Sequence, residues 1–207
     1  MAQLGFYFDG TRCTGCRTCV LACKDYYDLP VDLAFRNVIE YGGGTWAQND
    51  DGSWSTDTYV YHVSVSCNHC DAPACLEVCP QSAISKNPEN GLVASDPDLC
   101  IGCGACASAC PYGAPSVDAE LGKSVKCTMC SDRLVEGKQP ICVAACSTRA
   151  LAWGDIEELR ATYGDVAEVA PLPSVSETGP NLVIKEPVGA KPAGDETGAI
   201  LNQMDIA

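Results

Sequence analysis

The hydrophobic positions of this chain come in short runs, none longer than one strand or a few helical turns. Two runs rich in β-branched and aromatic residues, Phe35 to Tyr41 and Thr58 to Ser66, flank Gly42-Gly43-Gly44 and the turn-forming Asn49-Asp50-Asp51-Gly52. Such residues suit a pleated, half-buried surface, and Gly, Asn and Asp reverse the chain, so the pattern predicts a β-hairpin. Trp46 and Trp54 fall in or beside its loop and are expected to pack locally, as large aromatics mostly do. Asp155 is expected to cap a short helix, Ile156 to Tyr163, that stops at Gly164. From Ala170 the chain is Pro/Gly-rich, with one strand-like stretch, Leu182 to Lys185. It is too apolar for a plain disordered tail and reads as an arm that wraps a partner. The most apolar windows, Tyr59 to Val65 and Leu99 to Ala109, fall far short of the ~18–20 residues of a membrane-spanning helix, so no direct span is expected.

Composition narrows the function. Of 207 residues, 27 are acidic and 13 basic, a formal charge of −14, which argues against nucleic acid as a partner because phosphate binding needs a Lys/Arg surface. Only two histidines are present, His62 and His69, so chemistry built on several histidines is not expected. The N-terminus, Met1 to Asp9, has no basic n-region, long apolar h-region or twin arginine, so export would depend on a partner. Cysteine alone is in excess, with 16 residues.

The cysteines fall into four sets with none left over: Cys13, Cys16, Cys19, Cys23; Cys67, Cys70, Cys75, Cys79; Cys100, Cys103, Cys106, Cys110; and Cys127, Cys130, Cys142, Cys146. The first and third match the C-x2-C-x2-C-x3-C run that holds 4Fe–4S cubanes, and Pro111 completes the third. Three cysteines two residues apart wrap a loop around one cubane. The fourth is expected at the start of a following helix, pointing to a second cubane, so that runs exchange their fourth ligands. A scaffold of eight disulfides would leave the repeated spacing as coincidence. Zinc ribbons use pairs of C-x2-C, which only the last set resembles. A c-type haem needs C-x-x-C-H, and Asp71 follows Cys70.

The second and third sets lie close in sequence, while the first and fourth enclose them. The reading is an α+β fold of two nested bacterial-ferredoxin-like modules with a β-hairpin insertion and an extended C-terminal arm. Residues 1–30 and 112–153 would form the outer module, 31–66 the hairpin, 67–111 the inner module, and 154–207 a short helix and the tail. Exchange of fourth cysteines then gives four 4Fe–4S clusters, with iron held only by cysteine. Cluster 1 takes Cys13, Cys16, Cys19 and Cys146; cluster 2 takes Cys23, Cys127, Cys130 and Cys142. Cluster 3 takes Cys67, Cys70, Cys75 and Cys110; cluster 4 takes Cys79, Cys100, Cys103 and Cys106.

A cubane with four cysteine ligands has no open iron, so it passes single electrons. No x3 step continues into the C-x3-C-x2-C of radical enzymes, and no G-x-G-x-x-G or P-loop is present. The expectation is a wire without catalytic residues, not an enzyme. Between Cys67 and Cys110 the only basic residue is Lys86, whereas Arg12, Arg17, Lys24, Lys123, Lys126, Arg133, Lys138 and Arg149 lie around the outer sets. Positive neighbours favour the reduced state, so the outer clusters are expected to have the higher potentials.

The residues beyond cysteine carry a resemblance. Gly5-Phe6, Arg12-Cys13-Thr14-Gly15-Cys16, Ala22-Cys23-Lys24-Asp25-Tyr26 and Ser66-Cys67-Asn68-His69-Cys70 are part of it. So are Asp98 to Cys103, Ala109 to Pro115, Arg133, Glu136-Gly137-Lys138, Pro140 to Val143 and Val169 to Pro173. Through nearly its whole length the chain resembles the iron–sulfur B subunits of anaerobic dimethyl sulfoxide reductases. The resemblance implies four clusters between a quinol-oxidising integral membrane subunit and a molybdopterin catalytic subunit, with the same ligand sets. It also implies that cluster 1 lies toward the catalytic subunit and cluster 4 toward the membrane, with Tyr112 to Pro115 near the membrane partner. A peripheral membrane location follows, on the extracytoplasmic face by co-export or else on the cytoplasmic face. The alternatives are the same role beside a formate, polysulfide, nitrate or arsenate enzyme, or a free polyferredoxin carrier.

Overall fold

The computed structural model describes residues 2–206; residues 1 and 207, the outer limits of the first and last predicted segments, lie outside the described residues. The chain begins with β1 (Leu4–Asp9), a strand that the sequence pattern does not single out, followed by α1 (Thr18–Tyr26). The predicted hairpin is β2 (Arg36–Gly43) against β5 (Tyr59–Ser66), antiparallel from Arg36↔Ser66 to Gly43↔Tyr59. A smaller ribbon, β3 (Trp46–Gln48) with β4 (Trp54–Thr56), forms its tip. Trp46 and Trp54 stand on this ribbon 62% and 59% exposed, which overturns the expectation of local packing: the tip projects beyond the core that could have covered them.

The middle of the chain is built of very short elements. These are α2 (Ala74–Glu77), the hairpin β6 (Ile84–Lys86) with β7 (Val93–Ser95), α3 (Ala105–Ala109), and the hairpin β8 (Ser116–Asp118) with β9 (Lys123–Val125). Then follow α4 (Ser131–Val135), α5 (Ile141–Ala145), β10 (Leu151–Asp155) and α6 (Ile156–Tyr163). The last helix is the predicted one. Asp155 accepts hydrogen bonds from the N–H groups of Glu157 and Glu158, satisfying two donors that a helix start leaves orphaned. Helix α1 packs on α5 and α2 on α3, so the first cysteine set meets the fourth and the second meets the third.

Strand β1 is central to a three-stranded sheet, antiparallel to β10 on one side and parallel to β11 (Leu182–Lys185) on the other. Its alternation explains its burial on both faces. Phe6 and Phe8 point into the main core with Val38, Val63, Cys19 and Cys142, while Tyr7 points to α6 and stacks on Tyr163 at 3.8 Å between ring centroids. In β11, Leu182 and Ile184 join the main core and Val183 the α6 side.

The C-terminal arm, expected to wrap a partner, wraps this chain. After β11, β12 (Gly198–Ile200) pairs with the outer edge of β2. The Asn202 amide donates to the Val38 carbonyl at 2.9 Å and accepts from the Glu40 N–H at 2.7 Å. Tyr61 donates to the Ala170 carbonyl at 2.8 Å, and Asn181, fully buried, donates to the His69 carbonyl at 2.9 Å and to Asp71 at 3.1 Å. The apolar residues that distinguished the tail from a disordered one are apolar because they complete the core. Accordingly, Ile184→Ala is expected to cost about 2–5 kcal/mol in anaerobic denaturant titration of the isolated chain, whereas Val188→Ala, on the exposed part of the same arm, leaves the midpoint unchanged.

Candidate metal centres

Each cysteine set is built on the same local geometry. In the first C-x-x-C step of each set the residue before the second cysteine has left-handed backbone: Gly15 (φ 68), His69 (φ 46), Gly102 (φ 68) and Met129 (φ 56). Such a turn aims successive N–H groups to one side, which suits an anionic sulfur-bearing guest. Glycine meets this requirement at Gly15, where an added Cβ would fall 2.3 Å from the His62 ring, and at Gly102, where it would fall 2.3 Å from the Gly122 carbonyl oxygen. His69 and Met129 adopt the same conformation against their steric preference and are held there by complete burial.

The third cysteine of each set lies on a short helix: Cys19 on α1, Cys75 on α2, Cys106 on α3 and Cys142 on α5. The fourth does not start a following helix, as the spacing had suggested. Cys23 lies later on α1, Cys110 and Cys146 are the C-caps of α3 and α5, and Cys79 follows the C-cap of α2. The x3 spacing places third and fourth cysteines one helical turn apart on the same side, so one helix can serve two neighbouring centres.

Three cavities have cysteine quartets in their walls. One is lined by Cys67, Cys70, Cys75 and Cys110, one by Cys79, Cys100, Cys103 and Cys106, and one by Cys13, Cys16, Cys19 and Cys146. The remaining four, Cys23, Cys127, Cys130 and Cys142, are all buried, and the thiol of Cys23 feels the charges of the other three. All sixteen are free thiols. Among the described residues, no three Cys, His, Asp or Glu side chains converge tightly enough to share a single metal ion. Where a cavity is resolved, the sulfurs stand around a space, as a polynuclear centre requires and a zinc ion does not.

Burial pushes the Cys127 and Cys75 thiols up to about 12 and Cys70 up to about 11. Iron, by replacing those protons, would make their sulfurs thiolates. Donors are already aimed at the sulfurs. Backbone N–H groups donate to Cys79 from Ala83 (3.3 Å), to Cys110 from Ala114 (3.5 Å) and to Cys146 from Ala150 (3.2 Å). Gly102 and Ser124 donate to Cys100, Met129 to Cys127 and Ile141 to Cys130, all at 3.3–3.4 Å. The tail contributes as well, through the Thr178 hydroxyl donating to Cys70 at 3.2 Å.

The cavity of Cys67, Cys70, Cys75 and Cys110 supplies a further test of fit. Three buried polar atoms on residues lining it, Asn68 Nδ2, His69 Nε2 and the Tyr112 hydroxyl, have no hydrogen-bond partner. Burial, with Lys126 nearby, keeps His69 neutral, and its Nδ1 accepts from the Val93 N–H at 2.9 Å, so Nε2 carries the proton. Buried donors without acceptors are costly. Inorganic sulfides in the cavity would be acceptors for them, so the residues present fit a 4Fe–4S cluster.

Two features of the site go beyond what the sequence pattern had indicated. The first is the turn after the fourth cysteine: Ser82, Gly113 and Arg149 have left-handed backbone, each N–H closing on the preceding cysteine carbonyl, and the next residue is the sulfur-directed alanine. The repeated C-x3-A of Cys79 to Ala83, Cys110 to Ala114 and Cys146 to Ala150 was the available signal. The second is where the cations lie. Lys123 donates to the Cys100 carbonyl at 2.6 Å, and buried Lys126 donates to the Val93 and Cys127 carbonyls and acts on Cys75. Both therefore reach the inner sets, and the expected contrast between a basic outer and a cation-poor inner pair does not hold in space. Arg36, which no motif in the sequence had marked, is buried among the outer cysteines.

Residues 58–156 match the 4Fe-4S dicluster domain family and residues 11–28 a 4Fe-4S binding domain family. The protein is 52% identical over 204 residues to YnfG, a probable anaerobic dimethyl sulfoxide reductase chain of Escherichia coli K12, covering 99% of this chain and 98% of the relative. It is 51% identical, with the same coverage, to the B chain of the anaerobic dimethyl sulfoxide reductase of that strain. At greater distance it is 36% identical over 179 residues to the B subunit of the sulfite dehydrogenase of Allochromatium vinosum, covering 76% of this chain and 71% of that one.

If the orphaned donors act on a cluster, Tyr112→Phe should lower the midpoint potential of one cluster by tens of millivolts, the equivalent of a net hydrogen bond of about 1 kcal/mol, without loss of iron. Anaerobic EPR-monitored redox titration of the variant, beside iron analysis, checks this.

Proposed function

The chain belongs to the family of anaerobic dimethyl sulfoxide reductase B chains, and from that membership we propose that it relays single electrons through four 4Fe–4S clusters between two partner subunits. The proposed ligands are Cys13, Cys16, Cys19 and Cys146 for cluster 1, and Cys23, Cys127, Cys130 and Cys142 for cluster 2. Those for cluster 3 are Cys67, Cys70, Cys75 and Cys110, and for cluster 4 Cys79, Cys100, Cys103 and Cys106. Each oxidised cluster accepts one electron and returns it. The chain itself supplies sulfur, hydrogen bonds and electrostatic bias and has no substrate site in this reading.

The observation that carries the proposal is the order of the quartets. Cys19 of the first feels the charge of Cys142 in the second, and Cys127 of the second feels Cys67 in the third. Cys75 of the third shares a small apolar cluster with Cys106 and Cys79 of the fourth. The quartets thus follow one another as links of a chain. Of the sixteen cysteines, two are exposed: Cys16, in the first quartet, and Cys103, in the fourth. A relay needs an exit to solvent-side partners at each end and insulation between, and this distribution of exposure supports that.

In this reading the end at cluster 1 meets a molybdopterin catalytic subunit reducing an S- or N-oxide, and the end at cluster 4 meets a quinol-oxidising membrane subunit. Val78, Leu99 and Ile101 are 42%, 52% and 60% exposed around the latter, an apolar rim suited to the second contact. No helix among the described residues is long and apolar enough to cross a membrane, so the chain would sit peripherally, on the extracytoplasmic face if it is exported with the catalytic subunit. The tail, being part of the fold, no longer argues against a free polyferredoxin; family membership and the two exposed ends carry the argument instead.

Anaerobic purification of the intact complex should give about 16 irons per chain together with a molybdopterin subunit and a membrane subunit. A fully loaded chain that purifies alone and monomeric would favour the carrier, and about eight irons would refute four clusters. Placing charge on the apolar rim by Leu99→Glu with Ile101→Glu should weaken co-purification of the membrane subunit about tenfold or more, with the iron content and the catalytic subunit retained.

A further inference from the structure

Arg36 opens β2 at the foot of the hairpin and is 2% exposed. Its guanidinium lies over the Phe6 ring, 4.6 Å from the centroid, donates from Nη1 to the Ser64 hydroxyl at 3.1 Å and from Nη2 to the Ser66 hydroxyl at 2.9 Å. Its Nε has no partner. Among the described residues no carboxylate pairs with it, although Arg12, Arg17, Lys86, Lys138, Arg160 and Lys185 each have one. A buried charge without a counter-ion is strongly destabilising. The groups of opposite charge around Arg36 are cysteine sulfurs: Cys142, Cys19 and Cys127 act on the guanidinium, and Arg36 in turn acts on Cys23.

These contacts fall on two different quartets. Cys142, Cys127 and Cys23 belong to the cluster 2 set, and Cys19 to the cluster 1 set. The link to Cys19 includes a relay. Because Ser64 Oγ accepts from Arg36, its own proton is free to point to Cys19 Sγ, which lies 3.6 Å away. Resting on the four-cluster reading above, we infer that Arg36 is the built-in counter-cation shared by clusters 1 and 2, buried among the sulfurs of both and linked to the Cys19 sulfur through Ser64. One permanent charge then raises both midpoint potentials, because an added electron makes each cluster more negative beside a fixed positive group in a medium of low dielectric. An arginine suits the position: it stays protonated under all conditions, and its planar fork meets two serines at once. The same charge makes clusters 1 and 2 respond as a pair.

The test is EPR-monitored redox titration of the intact complex carrying wild-type chain, Arg36→Gln, Arg36→Lys or Ser64→Ala. Iron is counted first, since fewer than four clusters in the wild type would refute the underlying reading independently of Arg36. In Arg36→Gln two of the four midpoint potentials should fall and two stay, shifting the electron distribution between the pairs about tenfold, equivalent to about 59 mV for one electron. Arg36→Lys, which keeps the charge, should recover most of that loss, and Ser64→Ala should lower one potential only. Potentials unmoved in Arg36→Gln, all four falling alike, or Arg36→Lys falling as far as Arg36→Gln would overturn the inference. Should Arg36→Gln fail to retain its iron, Ser64→Ala decides: one lowered potential upholds the relay, and four unchanged potentials overturn it.

Discussion

Negative charge on sulfur, buried in a protein poor in cations, is the constraint on which the rest of this structure depends. The chain has a formal charge of −14 before any iron is bound. Each oxidised cubane with its thiolates adds a formal charge of about −2, so the four proposed would take the chain to about −22. Surface lysines could not screen that charge effectively from outside. The fold instead turns its backbone to the task. The C-x-x-C turns at Gly102 and Met129, three C-x3-A turns and the start of α5 turn N–H groups onto sulfur. This explains why the helices are so short and the strands of the middle segment so brief: regular secondary structure would consume within itself the donors that the sulfurs require.

How much of this was legible in the sequence follows from where the information resides. Ligand identity and spacing are local, and the sixteen cysteines could be sorted on sight. The hairpin β2–β5 and the capped helix α6 were also legible, because alternation and an Asp before a helical run are signals within a single segment. Strand β1 was missed because both its faces are covered, one by the core and one by α6, so Phe6-Tyr7-Phe8 shows no alternation of apolar and polar residues. The tail was misread for a related reason. Its apolar residues were visible, but whether Val183 and Ile184 cover this chain or another is a question of tertiary pairing that no local pattern answers. His69 and Met129, whose left-handed backbone runs against residue preference, are places where the packed structure overrides propensity.

The arm has a second consequence. It carries Thr178 to the Cys70 sulfur and Asn181 to the His69 carbonyl, so the far end of the chain closes over the third quartet. The first and fourth quartets have no such cover at Cys16 and Cys103. The arm thus helps to enclose the quartet of Cys67, Cys70, Cys75 and Cys110, while Cys16 and Cys103 stay exposed.

The same distinction between sequence and space governs the redox bias. Counting cations along the chain assigns Lys123 and Lys126 to the outer sets, yet their ammonium groups lie against Cys100, Val93 and Cys127. The count also passes over Arg36, which lies 13 residues beyond Cys23 but folds back between Phe6 and Ser64. Most of the remaining cations near the outer sets are engaged by carboxylates or by backbone carbonyls, as Arg12 is by Asp9, Arg17 by Asp205 and Lys24 by Pro30 and Val31. A paired surface charge is screened by water and by its partner and contributes little at a buried centre. An unpaired buried one acts at nearly full strength. The expectation of higher potentials in the outer pair therefore has no ground in the number of basic residues nearby in sequence: the two buried cations divide between the pairs, Arg36 acting on the outer cysteines and Lys126 on Cys75 of the inner ones.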